Sequence, residues 1–179
     1  MVASHIIKRL FDVLFSLIAI ISFLPLFYFI YLSVKIDSTN SGFFKQRRIG
    51  KNGKEFYIYK IRTIRNNRPT KFGKFLRKTF LDELPQFVNI LKGEMSLVGP
   101  RPEVFEIAKD YNQEQRKRLF VKPGLTGLWQ ISPYRDEPIH NHLEYDFYYI
   151  DNQSFWLDLK IMFKTLFVFL SRLLFNTTL

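Results

Sequence analysis

Cysteine is absent from the 179-residue chain, which excludes disulfides and thiolate chemistry, although it says little about compartment. Acidic residues are scarce: 16 Asp and Glu stand against 27 Lys and Arg, leaving a formal net charge of +11. A balance of that sign suits anionic partners, whether nucleic acid, acidic lipid headgroups or phosphorylated substrates, and charge alone does not choose among them. Internal repeats, low-complexity tracts and a second-domain linker are also missing, and the length fits one globular domain of ordinary size.

One long apolar run is present. Val13 to Val34 carries no charge for about 22 residues, enough to cross a bilayer, and it lacks the small-residue cleavage pattern of a signal peptide. The chain is therefore expected to be membrane-bound. His5, Lys8 and Arg9 precede the run, and Lys35, Lys45, Arg47 and Arg48 follow it, so the positive-inside rule draws both flanks to the cytoplasm. Pro25 removes a backbone donor near the middle and can kink the helix, with Ser22 placed to satisfy a freed carbonyl. A bent, re-entrant helix that enters and leaves by one face fits these features, and so does a bitopic anchor with a tolerated kink.

Beyond the run, Gly42 to Ile64 predicts two short strands about the turn Gly50-Lys51-Asn52-Gly53. Period-two alternation puts Phe56, Ile58, Lys60, Arg62 and Ile64 on one face, with Phe44, Gln46 and Arg48 matching them on the partner strand. Lys60 and Arg62 then form a cationic face, which is either a lysine-guarded strand edge or an anion site. Arg65 to Lys78 is polar and strongly basic and suits a membrane-facing surface, where each cation near an acidic leaflet gains about 1 kcal/mol.

The most informative stretch follows. Asp82 and Glu83 are adjacent carboxylates at the expected start of a short helix, on which Leu84, Phe87, Val88 and Leu91 would form one buried face. Pro85 fits its first turn and Gly93 its C-terminal cap. A helix start also gathers anions, so a phosphate and two carboxylates would compete for the same place. The helix end contributes only about 0.3–1 kcal/mol per charge, whereas a divalent cation supplies several kcal/mol. Asp82 and Glu83 thus read either as an N-cap and an ordinary first-turn acid, or as part of a site joining metal, phosphate and carboxylate. Arg101, held between Pro100 and Pro102, presents a planar bidentate donor on a restricted backbone, a means of gripping a diphosphate.

Glu103 to Phe120 predicts one or two short helices whose basic end, Arg116-Lys117-Arg118, is expected at a solvated or membrane-facing surface. Pro123-Gly124-Leu125-Thr126-Gly127 predicts a turn, its glycines supplying positive φ or close backbone approach. His140 and His142, followed by Glu144 and Asp146, have a spacing that zinc sites use, but no second cluster accompanies them and a surface pair is expected. Phe155 to Phe175 predicts a final helix whose charges, Asp158, Lys160, Lys164 and Arg172, occupy about half its circumference. Too charged to span comfortably, it is expected to lie in the interface with its lysines snorkelling.

Leu81-Asp82-Glu83-Leu84-Pro85-Gln86, continuing from Asn89 through Pro102, resembles the signature of the bacterial sugar transferase family, the monotopic phosphoglycosyl transferases. The resemblance extends through Lys8-Arg9-Leu10-Phe11-Asp12, Phe44 to Gly50, Tyr59-Lys60-Ile61-Arg62-Thr63, Pro123 to Gly127, Asp146-Phe147-Tyr148-Tyr149 and Ser154 to Ile161. It implies an enzyme at the cytoplasmic face of the bacterial inner membrane that initiates glycoconjugate assembly. Such an enzyme moves a sugar 1-phosphate from a nucleotide diphosphate sugar, expected to be a UDP-sugar, to polyprenol phosphate, releasing a nucleoside monophosphate such as UMP, with Mg²⁺. It also implies Asp82 as nucleophile and metal ligand, and Glu83 as base or positioning group. Lys60, Arg62, Arg77 and Arg101 become phosphate-binding residues, and Asp146 and Asp158 metal-shell or structural acids.

The resemblance further favours the re-entrant helix, bent at a Ser/Pro feature represented by Ser22 and Pro25, although the usual Ser-Pro adjacency is absent. The family's Trp-Ala-Gln and Asn-Gly-Arg stand here as Leu128-Trp129-Gln130 and Ser132-Pro133-Tyr134-Arg135, and a Ser common two residues before the catalytic Asp is Phe80. These departures bear on sugar specificity rather than reaction class. The expected fold is mixed α+β: residues 1–36 a membrane-associated re-entrant helix, and residues 37–179 a cytoplasmic catalytic domain with a small strand pair and interfacial helices. Two other readings are a basic membrane-anchored nucleic-acid-binding protein and an inactive family member serving as a scaffold. The first leaves Asp82-Glu83 and Pro100-Arg101-Pro102 unexplained, so no nucleic-acid partner is expected. The sequence does not set the oligomeric state.

Overall fold

A computed structural model describes residues 2–37 and 42–175. It is the expected mixture of helices and small sheets around an N-terminal apolar helix. Helix α1, Val2–Asp37, runs without a break through Ser22 and Pro25. Its two ends are held by different means. Near the start, Lys8 Nζ lies 2.6 Å from Asp158 and donates to the Val98 carbonyl, Arg9 donates to the carbonyls of Ile90 and Leu91, and Asp12 accepts from Ser96 Oγ and the Leu97 amide. Near the end, Phe27, Ile30 and Val34 pack with Ile61, Leu76 and Leu81, and Tyr31 stacks on Phe43. Between these attachments residues 21–26 are exposed all round. Six consecutive residues exceed one turn of helix, so no face of α1 touches the body there.

Strands β1 (Phe43–Ile49) and β2 (Glu55–Ile61) form the expected antiparallel pair, with Phe44 opposite Lys60, Gln46 opposite Ile58 and Arg48 opposite Phe56. A second hairpin, β3 (Ile64–Arg65) and β4 (Arg68–Pro69), turns through Asn66 and Asn67, both at positive φ, the two-residue turn that matches strand twist. Thr70 then caps α2 (Lys71–Lys78) by accepting from the Gly73 amide at 2.8 Å. Gly73 is needed for packing: a Cβ there would lie 2.2 Å from the Thr63 carbonyl oxygen. The basic run is thus an amphipathic helix, burying Leu76 and leaving Lys71 and Lys74 outside.

Helix α3 spans Gln86–Lys92, with Pro85 before it and Gly93 closing it at φ 81°, as expected. Its buried face is rotated from the prediction: Val88 is exposed, while Asn89 and Ile90 are fully buried. The cause is polar. Asn89 donates to the Tyr57 carbonyl and to Glu94, and accepts from the Tyr59 amide, so the helix turns this amide side chain onto the edge of β2.

Strand β5 (Ser96–Val98) pairs in parallel with β6 (Gly124–Thr126) after the short α4 (Phe105–Ala108). The segment predicted as a turn is therefore a buried strand at Gly124. Close approach is the reason, since a Cβ on Gly124 would sit 2.1 Å from the Gly99 nitrogen. Helices α5 (Leu143–Asp151) and α6 (Phe155–Phe175) complete the order. Ile58, Phe87, Ile90, Met95, Val98, Tyr149 and Ile161 form the main core. Trp156, Phe163, Phe167 and Leu174 leave α6 with a large exposed apolar surface.

Candidate active site

Asp82 and Glu83 lie not in a helix but in a single 3₁₀ turn, Leu81–Glu83, entered through Phe80 in the left-handed region at φ 53° and ψ 12°. The Glu83 amide donates to the Phe80 carbonyl at 3.0 Å, which closes the turn. Helix α3 begins only after Pro85, so Asp82 caps nothing, and the N-cap reading falls. Both carboxylates are buried, at 6% and 9% exposure, where an ordinary first-turn acid would face solvent.

Two cations meet on Glu83. Lys60, near the end of β2, reaches its Oε1 at 2.7 Å, and Arg101, from the Pro100-Arg101-Pro102 turn, reaches the same oxygen at 3.0 Å. Burial pushes the Glu83 carboxyl up, but Arg101 and Lys60 together outweigh it and hold the group well below the ordinary carboxylate range. Asp82 has the opposite field. Burial, then the adjacent Glu83, push it up to about 6, only partly offset by Lys60 and Arg77 acting through space.

These groups stand at a cleft of about 570 Å³. Lys60, Arg62 and Arg77 line it together with Asp82 and Glu83. Arg77 Nε donates to Thr63 Oγ1 at 2.7 Å, and the Arg62 guanidinium lies 5.9 Å from the Phe44 ring centroid. Of the four expected phosphate-binding residues, three are in the wall. Arg101 stands behind Glu83, and its carbonyl accepts from Arg118 at 2.9 Å.

Arg118 is the main residue misjudged from sequence. Expected on a basic surface, it is 4% exposed, with Nε 2.6 Å from Asp146 and Nη1 3.9 Å from Glu103. A cation flanked by Arg116 and Lys117 gives no local sign that its partner lies 28 residues further on, in α5. Asp146 is thus a support for the Arg101 turn, and Asp158 ties α6 to Lys8 and the Tyr149 hydroxyl. Neither lines the cleft. His140 and His142 are far apart in role: His142 stacks on Tyr134 and pairs with Glu137, and His140 lies 3.8 Å from Glu103. No group of three His, Asp or Glu suited to a metal occurs among the described residues. Asp82 alone still suits Mg²⁺, which binds through one or two carboxylates plus substrate phosphates and water. Phe44, Gln46, Thr63, Asn67 and Phe80 also line the cleft and were not singled out as site residues. The Asn66-Asn67 pair, a turn signal, was the one readable clue to how the chain returns there.

The bacterial sugar transferase family model matches residues 3–172. The chain is 40% identical over 188 residues to the exopolysaccharide production protein ExoY of Sinorhizobium fredii, covering 89% of this chain and 83% of that protein. It is 41% identical over 184 residues to the UDP-glucose:undecaprenyl-phosphate glucose-1-phosphate transferase of Klebsiella pneumoniae, covering 90% of this chain and 40% of that one. The undecaprenyl-phosphate galactose phosphotransferase of Salmonella typhimurium is 35% identical over 199 residues, covering 95% of this chain and 42% of that protein. Against relatives of this longer kind, the chain spans about two-fifths of their length. Matched along nearly its whole length by one family model, and across most of the length of a relative at 40% identity, the chain belongs to the bacterial sugar transferase family.

Proposed function

We propose that the protein is a phosphoglycosyl transferase that moves a sugar 1-phosphate from a UDP-sugar to a polyprenol phosphate. One observation carries the reading: a buried carboxylate, Asp82, faces a cation-lined cleft while its neighbour Glu83 holds the nearest lysine and arginine. Relatives that transfer glucose 1-phosphate from UDP-glucose to undecaprenyl phosphate support the same donor and acceptor classes.

In the first step an Asp82 oxygen bonds to the phosphorus that carries the sugar. The bond from that phosphorus to the bridging oxygen breaks, and UMP leaves with the electron pair. In the second, an oxygen of the polyprenol phosphate attacks the same phosphorus and expels Asp82. Splitting the exchange this way means that the two anionic substrates never meet at one centre. Lys60, Arg62 and Arg77 stabilise the negative charge of the diphosphate in the cleft. Glu83, held ionised by Lys60 and Arg101, fixes both cations and serves as a positioning group rather than a base. Asp82 is the residue that would hold Mg²⁺, which when bound would supply charge neutralisation between carboxylate and diphosphate.

The setting is the bacterial inner membrane, at its cytoplasmic face. Both ends of α1 attach to one body, and between these attachments residues 21–26, which include Ser22 and Pro25, leave it on every side. That pattern supports a helix dipping into one leaflet with its apex at this segment. Incubating the purified protein with a panel of nucleotide diphosphate sugars, undecaprenyl phosphate and Mg²⁺ tests the activity. UMP release that stops on chelation and leaves a phosphosugar on Asp82 is expected. Release of no monophosphate from any donor rejects the reading.

A further inference from the structure

We propose that Arg172, near the C-terminal end of α6, is a positioning residue that holds the catalytic turn by clamping the ring of Phe80. The inference rests on Asp82 being the reacting group. Among the described residues four other than glycine have positive φ, and three are Asn52, Asn66 and Asn67, of the type that tolerates it. Phe80 is the fourth. A bulky residue in this region persists only where its surroundings hold it there.

The backbone of Phe80 is tied into the turn at both ends, its amide donating to the Arg77 carbonyl and its carbonyl accepting from the Glu83 amide. Its ring lines the cleft and lies 4.9 Å from the Arg172 guanidinium carbon. A guanidinium over an aromatic face is attracted at that range. Arg172 is itself fixed, with Nη2 at 3.2 and 3.4 Å from the two carboxylate oxygens of Asp136, and its side chain is 13% exposed. Helix α6 supplies a firm base, since Ile161 is fully buried and Thr165 Oγ1 lies 2.6 Å from Thr126 Oγ1 on β6. The chain thus places an arginine from its last helix against the residue two positions before the nucleophile. A carboxylate that must meet phosphorus in line loses rate steeply with small displacements, and the clamp opposes them.

Hydrogen exchange on the full chain in nanodiscs, without substrate, reads the turn directly. Arg172→Ala should speed exchange of the Glu83 amide on the order of tenfold, and leave β5 and β6 unchanged. It should slow UMP release in the absence of acceptor by a similar factor, with the donor KM shifted less than about twofold. Arg172→Lys should retain most of both, because an ammonium also sits on a ring face. In a Phe80→Ser background Arg172→Ala should add nothing further. Equal losses in both backgrounds, an unchanged Glu83 amide, or acceleration that includes β5 would each overturn the clamp. The exchange arm decides the matter even where the donor panel rejects the transferase reading.

Discussion

Asp82 and Glu83 occupy opposite fields because the chain delivers its cations unevenly, Lys60 and Arg101 both to Glu83 and neither within bridging distance of Asp82. The raised Asp82 group disfavours its own ionised form in the fold. Stability is therefore fullest below its ordinary value of 3.8 and is lost as pH rises through about 6. Asp82→Asn removes that cost. The variant should show no turnover and no phosphosugar adduct, yet be more stable than wild type at pH 8 by about 1–3 kcal/mol, measured by denaturant unfolding. An active Asp82→Asn would sink the covalent step, and a less stable one would mean that the carboxylate has a structural partner. With donor and metal absent, the fraction of Asp82 able to attack should also rise between pH 5 and pH 7, following a group at about 6. Arg101→Lys tests the neighbouring pair. An ammonium keeps the charge but not the planar fork set between Glu83 and the Trp129 ring, so kcat should fall about tenfold. Wild-type kinetics would show that charge alone suffices at this position.

Helices and strands were legible wherever a local pattern had only one meaning. The β1–β2 pair and its turn, the ends of α6 and the Gly93 cap follow from alternation, hydropathy and glycine placement. Misreadings came where a distant partner overrode a local pattern: Asn89 turned α3 to serve the β2 edge, Asp146 drew Arg118 inside, and Gly99 made a strand of the expected turn at Gly124. The site followed the same division. Lys60, Asp82 and Glu83, expected from local pattern and family resemblance, do line one cleft, but the sharing of Lys60 and Arg101 on one Glu83 oxygen needs three segments in register. One element holds part of this arrangement through sterics alone. Helix α2 can approach Thr63 only because position 73 lacks a side chain, and Thr63 in turn accepts from Arg77 in the cleft. Gly73→Ala should push the two apart, lowering stability by about 1–3 kcal/mol and raising the donor KM. Thermal unfolding and initial-rate kinetics check both halves, and a fully stable, fully active variant would mean that α2 shifts freely.

At the scale of the whole molecule, the question is how an apolar helix with basic flanks sits in a bilayer. A straight crossing would put His5 and Lys45 on opposite sides, whereas Lys8 and Arg9 bind the same body that packs on Ile30 and Val34. Under the proposed topology the folded body lies on one side of the membrane and both ends of α1 return to it. Cysteines introduced singly at the exposed positions His5 and Lys45 should both react with a membrane-impermeant thiol reagent applied to the cytoplasmic side, and the lack of native cysteine keeps the background silent. A cysteine at Leu24, in the segment exposed all round, should be shielded by lipid and react only after detergent is added. Pro25→Leu restores the missing backbone donor and favours a straight apolar helix of about 22 residues, roughly 33 Å long, against a hydrocarbon core of about 30 Å. In that variant part of the His5 cysteine should become reactive from the far side. The Lys8–Asp158 and Arg9–Ile90 contacts would be lost in that fraction, and transferase activity should fall with it. Far-side labelling of His5 in the unaltered Pro25 background would instead establish a bitopic anchor, with the attachments at Lys8 and Arg9 broken in the membrane.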